Sequence, residues 1–557
     1  MRGRGVGRAG LVGALIALAL ALPVGAVAQG VARDFDNPGS NDPSQQLDGG
    51  TPPVPANPHN YPNVQRDDTP NDPGYDRAEP DDPDGGTSTN LFEERFDLFG
   101  FASERTRDEA KYLDPNGDNF GSSQVSGFNA AGGWKRTTGD PEVAVAVLDT
   151  GIDWGNSGVR TQVALNRDEL PLPQDATGDE SAEYDRNGDQ AFNVDDYAVD
   201  PRVDDSAPTG QDLIRAFSDG HDGLGGPTED NGYVDDIAGW DFFDDDNDPS
   251  DTSSYFAAGG HGTGRMNEAA ERGNDGLGEL GVCPKCQVMP VRIWDTFVSD
   301  QNSFFMGVVY ATDNGAEVIA GADGGLYHSA FAEQASQYAY DHGVAQTFSG
   351  NDLNTGNHNY PAAYDHAMLI EGVVGDTEGL GTDIPDPGGE DDPGIRDAII
   401  GVLQALPFIG TMANQSTYFR SANTAQFGGK SSISMQGPTG STNTGKAAGA
   451  AALVISAARE DADIDDLSPD ELRALLEQTA EDVLPGDTGP PPIGVGVPDP
   501  AQEGFDTHFG YGRANLGEAV RHASEGRIPP EASIASPRLV RARRGRFGPG
   551  HRPRRRA

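Results

Sequence analysis

The stretch that decides the fold is Val143-Ala144-Val145-Ala146-Val147-Leu148-Asp149-Thr150-Gly151-Ile152-Asp153, a short run of small and β-branched apolar residues that ends in an acid and a glycine. An apolar run without polar alternation predicts a parallel strand that is buried on both faces. In open α/β sheets the chemistry lies beyond the carboxyl ends of the strands, so Asp149 is the first candidate for a catalytic residue. A simpler interpretation is that Asp149 only opens a turn before Gly151.

Outward from this stretch, strand-like and helix-like segments alternate along the chain. Strands are expected at 288–293, 317–322 and 343–348, and helices at 304–314 and 330–342. This alternation predicts an α/β fold with a doubly wound, mostly parallel sheet and helices on both faces. We expect one catalytic domain over 91–525, with its core at 125–525 and acidic loop insertions between its elements.

The composition limits the partners of the protein. The 557 residues include 39 Lys and Arg against 89 Asp and Glu, a formal net charge of -50. Such a polyanion is expected to repel nucleic acid and anionic membranes. Bound calcium, a high-salt environment or both would offset the negative surface charge, and the net charge alone does not distinguish between them. We expect a monomer.

The amino terminus has the pattern of a secretory signal peptide, predicted for residues 1–28. Basic residues precede the apolar run 11–22, and the small-residue site Ala26-Val27-Ala28 follows it. The apolar run is too short and wrongly flanked for a membrane anchor, so a secreted, extracellular protein is expected. Residues 29–90 form an acidic, proline-rich leader that we expect to be disordered, and the segment 91–101 could dock on the folded body. Residues 526–557 are expected to form a basic disordered tail.

The two cysteines of the chain, Cys283 and Cys286, are three residues apart. In an exported protein they predict a local disulfide. A redox pair is the alternative, but that motif belongs at the strand-to-helix junction of a small redox domain. Zinc would require a second Cys or His pair beside the first.

A twelve-residue segment at 185–196 has the ligand order of a calcium loop. Oxygen-bearing side chains stand at loop positions 1, 3, 5, 9 and 12, with a backbone carbonyl at position 7. Position 6, usually glycine, is Gln190, and the last ligand is Asp rather than Glu. A solvated acidic turn is the alternative for this segment. A second acidic cluster at 219–236 has irregular spacing, which does not decide between a metal site and a solvated surface. The five candidate ligands are Asp185, Asn187, Asp189, Asn193 and Asp196.

Two further residues have the setting of catalytic groups. His261 lies among glycines just before a helical pattern, where it could act as a general base or be structural. Ser441 lies at the amino terminus of a helix made of small residues, where free amide groups can stabilise an oxyanion. Ser441 could equally be a helix cap.

In the order Asp149, His261, Ser441 these residues follow the chain order of subtilisin-type triads. With Ser349-Gly350-Asn351-Asp352, Tyr360-Pro361-Ala362 and the closing Gly510-Tyr511-Gly512-Arg513, the chain resembles the subtilisin-like serine protease family. The resemblance covers about 125–525.

The resemblance implies roles for these residues and a polypeptide substrate. Ser441 would be the nucleophile, His261 the general base and Asp149 the residue that orients the imidazole, with Asn351 as an oxyanion donor. An extended substrate would lie against the segment that ends in Ala322, Asp323, Gly324 and Gly325.

The chain departs from the family at two places. The nucleophile motif lacks the usual Met, Pro and His, and Lys446 lies close to the site. Asp323 stands where the family commonly has Leu, and it would favour a basic substrate side chain if it faced the cleft. Two functions therefore remain open: a calcium-stabilised secreted endopeptidase, and a catalytically silent subtilase fold that serves as an extracellular binding module.

Overall fold

The computed structural model describes the predicted catalytic domain with several gaps. The predicted signal peptide and leader, residue Asn351 and most of the basic tail lie outside the described residues. The described residues are 96–99, 127–223, 231–253, 260–273, 280–295, 301–350, 356, 358–374, 420–421, 427–437, 439–460, 464, 466–484 and 501–529.

A largely parallel sheet forms the centre of the molecule. Within the described residues its strands are β1 Ala144–Asp149, β2 Trp240–Asp241, β3 Gln287–Arg292, β4 Val318–Gly321, β5 Ala345–Ser349, β6 Met368–Val374, β7 Arg420–Ser421 and β8 Ser431–Gln436. Their order is β2-β3-β1-β4-β5-β6-β7, and β8 also pairs with β6. Every pairing is parallel except β6 with β7. The predicted α/β fold with a mostly parallel sheet is confirmed.

Helices cover both faces of the sheet. In the described residues they are α1 Phe96–Phe99, α2 Ala130–Gly133, α3 Gly210–Phe217, α4 His261–Ala270, α5 Gln301–Asp313, α6 Ala330–Asp341, α7 Gly440–Arg459, α8 Pro469–Thr479 and α9 Leu516–Ser524. Val145 and Val147 of β1 face the core shared with α4 and α7. Ala146 and Leu148 face the core shared with α5 and α6. All six residues of β1 are buried, which explains its apolar, non-alternating sequence.

Two helices begin at or next to candidate catalytic residues, as expected from the sequence. Helix α4 starts at His261 itself, because Gly260 takes a left-handed backbone with φ of 87° and ends the preceding loop. Helix α7 starts at Gly440, where the side chain of Thr439 caps it by accepting a hydrogen bond from the backbone N–H of Thr442. Both starts place a candidate catalytic residue inside the first turn of a helix.

Candidate active site

Asp149 and His261 are in direct contact at the carboxyl end of β1. Oδ1 of the fully buried Asp149 lies 2.7 Å from Nδ1 of His261. The same oxygen accepts a hydrogen bond from the backbone N–H of Thr150 at 2.7 Å. An ionised carboxylate only accepts, so Nδ1 of the imidazole carries the proton and Nε2 presents its lone pair.

Glycine at position 262 allows helix α4 to approach the end of β1. A Cβ atom there would lie 2.4 Å from the carbonyl oxygen of Gly151 and 3.1 Å from Cβ of Asp149. Gly151 itself has φ of +98°, which a side chain would strain. The glycines beside the acid and beside the histidine therefore have a steric function.

Hydrogen bonds fix the first turn of α4 against the loop after β1. The hydroxyl of Thr150 accepts from the backbone N–H of Gly262 at 3.0 Å and donates to Asp251 at 2.6 Å. Asp251 also accepts from the backbone N–H of Gly260. The buried ring of Trp294 packs edge-on against the imidazole, with ring centroids 5.6 Å apart. No motif in the sequence indicates the contact with Trp294, because Trp294 follows β3 and reaches His261 only through the folding of the sheet.

Ser441 is the second residue of α7, and its exposed fraction is 7%. Its backbone N–H belongs to the first turn, where amide groups lack partners within the helix. Its Oγ donates to the carbonyl oxygen of Ala322 at 3.4 Å. No hydrogen bond joins the two described side chains of Ser441 and His261.

A residue that the sequence analysis missed lies at the other nitrogen of His261. Nη1 of Arg265, one turn further along α4, is 3.2 Å from Nε2 of the imidazole. The guanidinium is held from its other side by Glu268, through Nε at 2.6 Å and Nη2 at 2.7 Å. A cation four residues after a candidate general base, on the same helix face, is a sequence signal that could have identified this contact.

The candidate substrate-binding segment 322–325 follows β4. Gly325 and Tyr360 exchange backbone hydrogen bonds of 2.9 and 2.8 Å. Asp323 is buried, with an exposed fraction of 7%. A Cβ atom on Gly321 would lie 3.4 Å from its Oδ1, so the carboxylate lies close to the end of β4 rather than in open solvent.

Lys446 of α7, which departs from the family motif, is part of a buried ion pair. Its Nζ lies 2.9 Å from a carboxylate oxygen of Asp97 and donates to the backbone carbonyl of Gln436 at 2.8 Å. Asp97 belongs to α1, so this part of the segment 91–101 does pack on the folded body. The pairing explains how a lysine is accommodated at a buried position.

The acidic loop 185–196 is held together by hydrogen bonds between its own backbone and side chains. Asp185 accepts from the backbone N–H groups of Gly188 and Gln190, and Gln190 takes the left-handed φ of 70° at the position where such loops usually have glycine. Side-chain amides of Asn187 and Asn193 both donate to Oδ2 of Asp189.

The last candidate ligand, Asp196, is fully buried. Its carboxylate accepts from the backbone N–H groups of Arg186, Asn187 and Asn193. Burial raises its pKa above the ordinary value, and the negative charge of Asp189 adds to the increase, while the backbone hydrogen bonds oppose it. Among the described residues, no three His, Cys, Asp or Glu side chains converge as a ligand group. Any metal in this loop would therefore also rely on amide and backbone oxygens.

The second acidic cluster is held by hydrogen bonds as well. Asp236 is 1% exposed and accepts from the side-chain amides of Asn166 and Asn231. Burial raises its pKa to about 6, and burial raises the pKa of the neighbouring Glu169 to about 7.

Cys283 and Cys286 form a disulfide in the structure, in the loop that leads into β3. Gly139 packs against it, because a Cβ atom there would lie 2.6 Å from Sγ of Cys283.

Comparison with known proteins establishes the family. The model of the subtilase family matches residues 140–512, more than half of the chain, so this chain belongs to the subtilase family. Thermitase of Thermoactinomyces vulgaris is 35% identical over 136 residues, which cover 24% of this chain and 46% of thermitase. Fervidolysin of Fervidobacterium pennivorans is 34% identical over 143 residues, which cover 24% of this chain and 20% of fervidolysin. These alignments span less than half of each relative.

The crystal structure of fervidolysin, described as a keratinolytic enzyme related to subtilisin, superposes with a TM-score of 0.40 at 18% identity. The superposition covers 76% of this chain and 48% of fervidolysin.

No helix in the described part of the chain combines the length and the apolar character needed to cross a membrane.

Proposed function

We propose that this chain is a secreted serine endopeptidase that hydrolyses peptide bonds through an acyl-enzyme intermediate. The observation that carries the proposal is the 2.7 Å contact between buried Asp149 and Nδ1 of His261, with Ser441 at the start of α7. Membership of the subtilase family supports the same reaction class.

In the proposed reaction, Oγ of Ser441 attacks the carbonyl carbon of the scissile bond while its proton passes to Nε2 of His261. Asp149 keeps the proton of the imidazole on Nδ1 and stabilises the positive ring. The tetrahedral intermediate then collapses, and the leaving amine takes the proton from Nε2. Water hydrolyses the resulting ester by the same steps, and Ser441 regains its proton.

Two donors are assigned to the oxyanion of the intermediate. The backbone N–H of Ser441, in the first turn of α7, is one of them. The side-chain amide of Asn351 is the other, assigned by the resemblance of the segment 349–352 to the family motif. An extended polypeptide would add as a strand beside 322–325.

We assign calcium a structural role in the loop 185–196. The fit is supported by the left-handed backbone at Gln190 and by the buried carboxylate of Asp196. Asp185, Asn187, Asp189, Asn193 and Asp196 would hold the ion. A bound divalent cation would supply the positive charge that offsets the clustered carboxylates, and it takes no part in the chemical steps.

A second function is favoured by one observation: the guanidinium of Arg265 lies against Nε2 of His261, and Ser441 is not hydrogen-bonded to the imidazole. In this alternative the chain is a catalytically silent subtilase fold that binds an extracellular partner. A polypeptide ligand would occupy the same cleft, but no bond would be cleaved.

Hydrolysis of casein by the secreted protein in calcium tests the proposal. Activity is expected in the wild type and absent in Ser441→Ala. The matched control is Ser456→Ala, which removes a hydroxyl from the same helix, where it donates to the carbonyl of Ala452. Activity that survives in Ser441→Ala would refute the proposal, and a folded wild type without activity would favour the silent binding module.

A further inference from the structure

We infer that Arg265 is a positioning residue that occupies the general base in the free protein and delays the coupling of Ser441 to His261. The inference rests on the proposed serine peptidase function and adds a regulatory step to it. Its starting point is the 3.2 Å separation between Nη1 of Arg265 and Nε2 of His261.

The chemistry of imidazole makes this contact exclusive. With the Nδ1 proton donated to Asp149, Nε2 has one in-plane lone pair and accepts one strong hydrogen bond. A guanidinium is always charged and only donates, so the Arg265 N–H uses the lone pair that must receive the proton of Ser441. The hydroxyl of Ser441 accordingly donates elsewhere, to the carbonyl of Ala322 at 3.4 Å.

Glu268 fixes the guanidinium in this position. Its two carboxylate oxygens accept from Nε and Nη2 of Arg265, which leaves Nη1 directed at the imidazole. The side chains of Arg265 and Glu268 are 12% and 14% exposed, so the pair is largely shielded from solvent. A bidentate ion pair that is shielded from solvent restricts the side-chain conformation of Arg265 far more than a surface ion pair would.

The facing helix leaves room for this arrangement. Gly445 of α7 lies opposite the pair, and a Cβ atom there would come within 2.4 Å of Oε2 of Glu268. The nucleophile helix thus carries a glycine at the point where a larger residue would displace the carboxylate that holds Arg265. The site of the pair is therefore shaped by two helices, α4 and α7.

For hydrolysis to proceed, the guanidinium of Arg265 must move away from Nε2 of His261. Arg265 stays paired with the carboxylate of Glu268 during this movement. The rate of nucleophile activation then includes the cost of breaking a charged hydrogen bond. Removing that bond is expected to raise the reactivity of Ser441 by about tenfold or more.

The test is the rate at which a fluorophosphonate probe labels the processed protein in calcium. Arg265→Gln removes the charge but keeps an amide donor for Glu268, and it is expected to label at least about tenfold faster than wild type. Arg265→Lys, which restores a cation near Nε2, should return the rate toward that of wild type. The matched control, Arg521→Leu, breaks an Arg–Glu pair on α9 and should leave the rate unchanged.

A second variant keeps the test decisive if Arg265→Gln unfolds. Arg265→Leu combined with Glu268→Gln removes both charges of the pair, and it is expected to give the same acceleration. A merely structural arginine would slow labelling when replaced, so slower or equal labelling in the folded variants overturns the inference. If labelling still vanishes in Ser441→Ala, the proposed function stands even though the inference about Arg265 fails. No labelling of any folded variant would overturn both.

Discussion

At the scale of single residues, the Asp149–His261 contact depends on one carboxylate oxygen. Oδ1 of Asp149 accepts from the imidazole and from the backbone N–H of Thr150. The resemblance of the motifs around both residues to the subtilisin-like family allowed this pair to be predicted, and the structure shows that a glycine in each motif permits the close approach. The i,i+4 spacing of His261 and Arg265 is a signal that the sequence analysis overlooked, whereas the side-chain conformation of Arg265 depends on its pairing with Glu268.

Replacing Asp149 with Asn is expected to lower kcat by about 10⁴-fold. The amide can turn its N–H₂ toward Nδ1, which moves the imidazole proton to Nε2 and removes the lone pair that the nucleophile needs. Asp153→Asn, at an exposed acid of the same motif that caps the backbone N–H of Gly155, is the control and should retain activity. Hydrolysis of a peptide substrate measures both variants, and a fully active Asp149→Asn enzyme would exclude the proposed role of Asp149.

At the scale of elements, the site depends on the close packing of α4 and α7. Gly445 and Gly449, one turn apart on α7, lie against backbone atoms of Arg265 and Ala269 on α4. The small-residue composition of α7 predicted this kind of packing, and the structure confirms it. Ser441 was predicted from the sequence to lie at the amino terminus of α7, as observed, but Thr439 was not identified as the cap.

Gly445→Ala is expected to destabilise the protein, although alanine normally stabilises a helix interior. Its Cβ would lie 2.4 Å from Oε2 of Glu268 and 2.9 Å from the backbone oxygen of Arg265, so the helices must move apart. Overpacking of this kind typically costs about 1–3 kcal/mol.

Gly264→Ala is the matched control for this variant, because a Cβ atom there meets nothing within 4 Å. It should stabilise α4 by about 0.5–1 kcal/mol. Denaturant unfolding in the Ser441→Ala background, which avoids self-digestion, measures both changes. A stabilised Gly445→Ala protein would show that the helices are not packed this closely.

At the scale of the whole molecule, the excess of acid sets the response to pH and to cations. The charge count predicted an acidic surface, but it did not predict that several carboxyl groups are buried. Glu371 in β6 and Asp506 are both buried; burial raises the pKa of Glu371, and the negative charge of Asp506 adds to the increase. Such burial depends on long-range packing, which a local sequence pattern does not specify.

Asp506 makes the stability fall as the pH rises. Burial raises its pKa from 3.8 to about 6, and the charge of Asp482 raises it further, against opposing backbone hydrogen bonds. At a pH between the unfolded pKa of 3.8 and the folded pKa of about 6, the folded state holds a proton that the unfolded state has lost. The free energy of unfolding therefore decreases as the pH rises through this range. The decrease attributable to this group amounts to at most about 3 kcal/mol.

In Asp506→Asn the decline in stability between pH 4 and 7 is expected to be smaller than in the parent. The amide oxygen can still accept from the backbone N–H groups of His508 and Phe509. Asp365→Asn, at an exposed carboxyl paired with Lys430, is the control and should leave the decline unchanged. Urea unfolding at a series of pH values gives the comparison, and identical slopes for both variants would remove Asp506 as the cause.

Removal of calcium is expected to lower Tm. Binding to the folded state alone contributes about 2.7 kcal/mol when free calcium is 100 times its dissociation constant. Asp185→Ala should abolish the effect of a chelator, whereas Asp205→Ala, at an exposed acid outside the loop, should preserve it. Equal melting of the wild type with and without chelator would rule out a stabilising ion in this loop.

The most direct test of the central claim is to map the site of fluorophosphonate attachment on the purified protein in calcium. The account predicts one phosphonylated peptide, the one that contains Ser441, and loss of both the label and casein hydrolysis in Ser441→Ala. Attachment at a different serine, or casein hydrolysis that persists in Ser441→Ala, would contradict it.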